Sequence, residues 1–295
     1  IYLIVLFIYI GTIYTQGLLS FSISLQRVSL YAFYILSFGS LLFYKRKLPI
    51  YYITWYGLFL LFTLFSFFYA PSEYHFFWGF KKILNIFIFG LSLLIFFQMQ
   101  NSMPKLMNIY IVIATLTGVF IILTYEPQHA WSRLGFDFGQ NPNQIGLMYL
   151  LPLVFSIRKA YIDEMRLVNI MLSGLFFYII LLTGSKKALL GGVIFVVIYL
   201  LLQPSIKNKI KNILLTIIIL AIILTLLKNV SFFYNIIGYR MEDFFELIVF
   251  PSIKSTSSTN LIRHQLIKQG LDIFADNPIL GVGMNNFAYF SGVYT

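Results

Sequence analysis

Cysteine is missing from all 295 residues, and charge is scarce: Asp and Glu together number 10, His numbers 3, and charged residues make up 11% of the chain. The first absence excludes a disulfide framework, a thiolate metal site and a Cys nucleophile in this stretch. The second excludes a water-soluble globule, in which about a quarter of the residues carry charge. So few acids also leave little material for paired-carboxylate chemistry. His75 and His129 fall in expected loops and His264 follows Arg263, none with a partner at metal-ligand spacing. A Gly-x-Ser-x-Gly elbow, a Ser/His/Asp set and a Walker A loop are likewise missing. No fixed-period repeat and no Gly/Ser or Pro-rich linker divides the chain.

What fills the sequence instead is hydrocarbon. Hydrophobic residues are 59% of the chain, enough for roughly eight or nine transmembrane helices at about 20 apolar residues per crossing. Nine apolar runs stand out: Ile1 to Thr15, Val28 to Tyr44, Ile50 to Tyr69, Ile83 to Phe97, Met107 to Tyr125, Ile145 to Ile157, Leu167 to Leu182, Ala188 to Leu202 and Ile213 to Leu227. They are continuous rather than alternating, and a backbone in lipid must satisfy its hydrogen bonds within the segment. The expectation is an all-α polytopic membrane protein of about nine spans. The shorter runs require Gln16, Asn143 and Thr183 to lie within the helical rods. Residues 1–227 are expected to form the transmembrane domain, and residues 228–295 an extracytoplasmic segment with a helix over Glu242 to Val249 and another over Thr259 to Ala275, capped by Thr259 or Asn260. Leu261, Leu266, Leu271 and Phe274 supply the apolar face of the latter. Ile1 opens inside an apolar run with no basic n-region, so no signal peptide is read, and the chain is expected to continue at both ends.

Orientation follows the cations of short loops. Lys45, Arg46 and Lys47, then Lys105, then Arg158, Lys159 and Arg166, then Lys207, Lys209 and Lys211 occur at alternate connections and outnumber Arg27, Lys81, Lys82, Arg133, Lys186 and Lys187 on the other side. The richer side is taken as cytoplasmic. Arg133, Lys186, Lys187, Arg240 and Arg263 then stand outside, where statistics disfavour them. They fit an anionic ligand at the outer leaflet, with phosphates held by Arg forks and Lys point charges; snorkelling to headgroups explains any one of them alone. The formal net charge of +11 gives no case for nucleic acid, since much of it lies in cytoplasmic loops. No run has an ionisable residue near its centre, which counts against a proton-coupled transporter.

Three segments combine small, polar and cationic residues. Thr183-Gly184-Ser185-Lys186-Lys187 allows a tight turn whose free N–H groups and ammonium groups suit a phosphate. Arg133 leads through Asn141, Pro142 and Asn143 into a span that either Asn can cap, and both can also bind sugar hydroxyls. Asn277-Pro278-Ile279-Leu280-Gly281-Val282-Gly283 suits a tight turn before a further helix at Asn286-Phe287.

In this order, over roughly residues 130 to 295, these segments together with Arg263 resemble the O-antigen ligase and O-antigen polymerase superfamily of bacterial envelope enzymes. The first four spans contribute only hydropathy. The resemblance implies a GT-C-like glycosyltransferase at the outer face of the cytoplasmic membrane, needing no metal or nucleotide cofactor. It would move a glycan from an undecaprenyl-diphosphate carrier to an acceptor hydroxyl: the end sugar of another lipid-linked repeat for a polymerase, lipid A core or a protein for a ligase. A flippase and a chain-length regulator of the same pathway are the implied partners. Arg263 matches the family's tail arginine and Arg240 is its candidate companion at the diphosphate. Lys186 replaces the usual Arg of the turn and keeps charge without the fork. The family's catalytic His follows the Gly-x-Gly and Asn-Phe element, where this sequence has none, so it is expected beyond Thr295. Polymerase is preferred over ligase because the Ile, Phe, Tyr, Lys and Asn bias suggests an AT-rich bacterium with a single membrane. A flippase or permease is the alternative of another class.

Overall fold

The computed structural model describes residues 1–15, 22–44, 46–99, 102–126, 133–135, 140–162, 165–201, 228–238 and 258–291, with scattered positions from 214 to 225. Every extended element among them is a helix. These are α1 (Tyr2–Tyr14), α2 (Ser22–Phe43), α3 (Ile50–Phe65) with a 3-10 turn at Ser66–Tyr69, α4 (Glu73–Phe97), α5 (Ser102–Thr124), α6 (Pro142–Ile162), α7 (Arg166–Leu182), α8 (Lys186–Leu201), the short α9 (Ser231–Phe233) running into a π-turn at Tyr234–Gly238, α10 (Ser258–Asp276) and α11 (Phe287–Ser291). Helices α1 to α8 fall on the first eight apolar runs; the ninth, from Ile213 to Leu227, lies largely outside the described residues. Among the described residues, five helices are long and apolar enough to cross a membrane: α2, α3 with its 3-10 turn, α4, α5 and α6. Their outward surfaces are apolar, with Trp55, Phe62 and Leu123 each 70–79% exposed, the pattern expected where lipid rather than water is the solvent.

Several expectations need correction. α4 starts ten residues before its apolar run, because Ser72 caps it by accepting the His75 N–H and Glu73 occupies the first turn. Lys81 and Lys82 therefore lie inside α4, and Arg27 inside α2, rather than in loops. Lys82 is held over the Trp78 ring, 3.0 Å from its centroid, a cation–π contact that shelters the ammonium one turn from its own backbone. Thr183 lies beyond the last turn of α7 rather than in the rod. The tail helix agrees within a residue at each end, but its start at Ser258 puts Thr259 and Asn260 inside the first turn, so neither is the N-cap.

The chain forms two compact units. The first, Ile1–Leu30 with Met103–Pro251, is organised about α6, which packs on α7 and α8. Close approach depends on missing side chains: a Cβ at Gly191 would meet Leu150, and one at Gly118 would meet Ile179 on α7. Polar groups inside it are paired, with the Tyr14 hydroxyl donating to Met148 O (2.6 Å) and Thr117 Oγ1 2.9 Å from the Tyr149 hydroxyl. The second unit, Tyr31–Ser102 with Ser252–Thr295, combines the rest of α2 with α3, α4, α10 and α11. Phe33, Phe76, Ile95 and Phe96 form its core, and Tyr52 stacks on Phe87.

Candidate functional site

In the first unit the connection between α7 and α8 is a closed elbow. The Thr183 hydroxyl turns back to donate to Ile180 O (2.7 Å) and accepts the Ser185 N–H (3.3 Å), while Gly184 adopts a φ of 56°. Ser185 then caps α8, its Oγ accepting the Ala188 N–H (3.4 Å). Thr183 and Ser185 are fully buried. Lys186 and Lys187 become the first two residues of α8, with Lys187 exposed. Two ammonium groups at the positive end of a helix are each unfavourable by about 0.3–1 kcal/mol in isolation. Their presence concentrates positive potential where an anion would be stabilised by charge and backbone together.

Arg133 closes the elbow from the other side. Its Nε donates to Thr183 O (2.8 Å), one of the carbonyls left over at the end of α7, and its Nη2 donates to Asn143 Oδ1 (3.3 Å). The next residue continues the pairing, the Leu134 N–H donating to Leu182 O (3.0 Å). A guanidinium is thus fixed between the start of α6 and the end of α7. The two asparagines divide their work: Asn141 caps α6, its Oδ1 accepting the Asn143 N–H (2.9 Å), whereas Asn143 is already inside the helix and anchors Arg133. Pro142 is the first helical residue, where its missing N–H costs nothing.

Two further contacts tighten the elbow and were not legible as site features. A Cβ on Gly146 would lie 2.9 Å from Ala188 Cβ, 2.9 Å from Thr183 Oγ1 and 3.0 Å from Ser185 Cβ. A Cβ on Gly184 would lie 2.8 Å from Ile236 O and 3.1 Å from Arg133 Nε, so the π-turn at Tyr234–Gly238 packs directly on the turn. Gly146 sits within an apolar run, where sequence gives only composition, and Gly184 was readable as a turn residue but not as the seat of the π-turn.

In the second unit the segment after α10 forms the other glycine turn. Asn277 closes α10, its Nδ2 donating to Ile273 O (3.2 Å). Gly281, Gly283 and Asn285 take φ values of 67°, 82° and 59°, and α11 follows at Phe287, so the turn before a further helix is as expected. Its partner is not solvent but the connection between α3 and α4. The Met284 N–H donates to Ser66 Oγ (3.0 Å), the Tyr69 hydroxyl to Leu280 O (2.9 Å), the Ser72 N–H to Asn286 Oδ1 (3.1 Å) and Asn285 Nδ2 to His75 O (3.1 Å). Asn286 is fully buried, and its Nδ2 also donates to Met284 O (3.0 Å).

Of the residues singled out from sequence, Arg133, Asn143, Thr183, Ser185 and Lys186 meet in the elbow, while Asn277, Gly281 and Gly283 belong to the docked turn. Arg263 lies on α10, in its second turn. Arg240, His129 and the expected helix over Glu242 to Val249 lie outside the described residues. Among the described residues no group of His, Asp and Glu could hold a metal ion.

A family model described as O-antigen ligase matches residues 171–294. That match supports membership of the O-antigen ligase and polymerase superfamily. No curated protein and no solved structure matches it significantly. The O-antigen ligase match begins at Met171, within α7, and so takes in the elbow turn, Lys186, Lys187, α10 and the Gly281–Gly283 turn. Arg133 and the Ser66 to Gly79 surface lie upstream of it, although each is bonded to or packed against a matched residue, and Asn143, also upstream, is bonded to Arg133. The match, with the apolar helices, supports a membrane enzyme of O-antigen ligase or polymerase type acting on a lipid-linked oligosaccharide.

Proposed function

We propose that this protein is a glycosyltransferase of the cytoplasmic membrane that takes a glycan from an undecaprenyl-diphosphate carrier at the outer face and joins it to an acceptor hydroxyl, polymerising repeat units of an envelope polysaccharide. The observation that carries the reading is the α7–α8 elbow: a guanidinium fixed by Thr183 O and Asn143 Oδ1 beside two lysines at a helix start, in a chain that matches the O-antigen ligase family model. In the reaction the acceptor oxygen bonds to the anomeric carbon while the bond from that carbon to the diphosphate oxygen breaks. The electron pair leaves with the lipid diphosphate, and the hydroxyl proton passes to a base. Negative charge grows on the leaving diphosphate, so cations held in place before the reaction stabilise the transition state more than the ground state. Arg133, Lys186 and Lys187 supply such charge in the elbow. Arg263 and Arg240 are the tail's contribution, and Asn141 and Asn143 order the entry of α6 on which the sugar would rest. The Lys at position 186 gives a point charge without a bidentate fork, leaving two-point recognition to the arginines. A flippase delivering the carrier and a chain-length regulator would act beside it.

The test is to delete the full-length gene, complement with wild type or Arg263→Ala, and resolve lipid-linked and surface glycans on gels. Loss of the long ladder, with single repeats left on the lipid, supports polymerisation. Long chains stranded on the carrier mean ligation, and an unchanged ladder on deletion defeats both. Arg263→Ala is expected to lower product at least about 100-fold, the size of effect typical of removing one transition-state charge partner, at unchanged membrane abundance.

A further inference from the structure

The turn that follows α10 has the composition of a ligand-binding loop, yet its polar atoms are directed at protein. Four hydrogen bonds join it to the Ser66 to His75 stretch, and the pairs are separated by 210 to 218 residues in sequence. Two glycines, one from each side, make the seat possible. A Cβ on Gly283 would lie 2.9 Å from Ala70 Cβ and 3.2 Å from Ser66 O, and a Cβ on Gly79, in the second turn of α4, would lie 2.5 Å from Asn285 Cβ. Asn286 supplies the buried centre. Its amide satisfies the Ser72 N–H and the Met284 carbonyl together, leaving no room for a sugar or phosphate at the same atoms.

We infer that the Gly281 to Asn286 turn is a docking key, that Ser66 to Gly79 is its lock, and that Asn286 and Gly79 are positioning residues that seat α10, and with it Arg263, for glycosyl transfer. The docking stands on the contacts alone; its effect on catalysis rests on the function proposed above. Mechanically, α10 is a rod whose far end is clamped. Arg263 lies 13 residues before Asp276, about 20 Å along the helix axis, so a small tilt at the clamp becomes a displacement of the arginine large enough to spoil a charge contact. Gly270 carries the brace part-way along, facing the Phe287 ring at 3.6 Å from a built Cβ.

The chain's lack of Cys makes the contact directly measurable. In native membranes the full chain with Ser66→Cys and Met284→Cys is treated with a short thiol-reactive bifunctional crosslinker, a bis-methanethiosulfonate, alone and with Asn286→Ala, Gly79→Val or Tyr69→Phe added. Rapid crosslinking that slows with Asn286→Ala or Gly79→Val, at wild-type abundance, is the expected result. No crosslink in the otherwise native chain overturns the docking. Gly79→Val acts from the opposite side of the contact, so it decides the matter if Asn286→Ala fails to accumulate. For catalysis, Asn286→Ala is expected to lower kcat about tenfold, equivalent to a lost hydrogen bond of the usual size, with little change in the KM for the lipid-linked repeat. Combined with Arg263→Lys, a change that keeps the charge and should leave activity to measure, it should cost clearly less than the product of the two separate losses, since both act through the same side chain. A fully multiplicative loss overturns the positioning role. Wild-type product from Arg263→Ala would instead remove Arg263 from the reaction while leaving the crosslinking result intact.

Discussion

The α7–α8 elbow and the turn after α10 are both glycine turns built from similar residue types, and they hold together in opposite ways. In the α7–α8 elbow, Gly184 is flanked by an arginine and two lysines, and the turn is tied by a guanidinium donating to a leftover helix carbonyl. In the turn after α10, the bonds among the described residues involve no charged side chain. The ties are hydroxyl, amide and backbone groups, with a buried Asn at the centre. The elbow concentrates charge that a ligand could neutralise; the other turn consumes its own polarity in protein contacts. Composition alone makes them look equivalent, and the direction of the polar atoms separates them.

Variants can sharpen that contrast. Gly146→Leu should have the largest effect, because three neighbouring atoms already stand at 3.0 Å or less from a built Cβ; overpacking of this kind costs about 1–3 kcal/mol or more. A lower melting temperature in detergent together with loss of product would show that the elbow needs close α6 packing, and an unchanged melting temperature would break the account. Arg133→Lys keeps the charge but cannot reach Thr183 O and Asn143 Oδ1 together, so activity should fall about tenfold, corresponding to one charge-assisted bond. Full activity would mean that charge alone suffices. Ser185→Ala removes the α8 cap and should cost about 1 kcal/mol of stability, read as a modest fall in melting temperature. Tyr69→Phe, at an exposed bond to Leu280 O, should cost about 0.5 kcal/mol, and added salt should leave this small deficit unchanged. If salt deepens it, the neutral character assigned to that turn is wrong.

Helix placement was largely legible because continuous apolar runs in lipid leave the backbone one way to satisfy itself. Where it failed, a local signal had been outweighed by hydropathy: Ser72 and Glu73 announce the start of α4 ten residues before its apolar run, and reading them would have placed Lys81 and Lys82 inside the helix. The site residues were legible as types, because arginine, lysine and small polar residues near span ends are conspicuous in so apolar a chain. Their partners were not. Asn143 could be named as a cap, but its bond to Arg133 depends on a tertiary approach. Ser66 and Gly79 lie in a region that offers only hydropathy to a reader of sequence, and Ser72 reads there as a cap and no more, since neither a cap nor a glycine in an apolar helix hints at what comes against it.

The long separation within the docked turn also has a consequence in time. Ser66 and Ser72 are synthesised more than 200 residues before the Met284 and Asn286 that pair with them. At roughly 5–20 residues per second, the lock waits on the order of 10 to 40 s for its key. During that interval the Ser72 N–H must be satisfied by water or a temporary partner, and the Ser66 hydroxyl keeps its bond to Thr63 O. Closure of this contact is therefore a late event in biogenesis, made after α3 and α4 have formed and paid for by a large loop-closure entropy. Chains stalled before position 284 should leave the ribosome with that seam open.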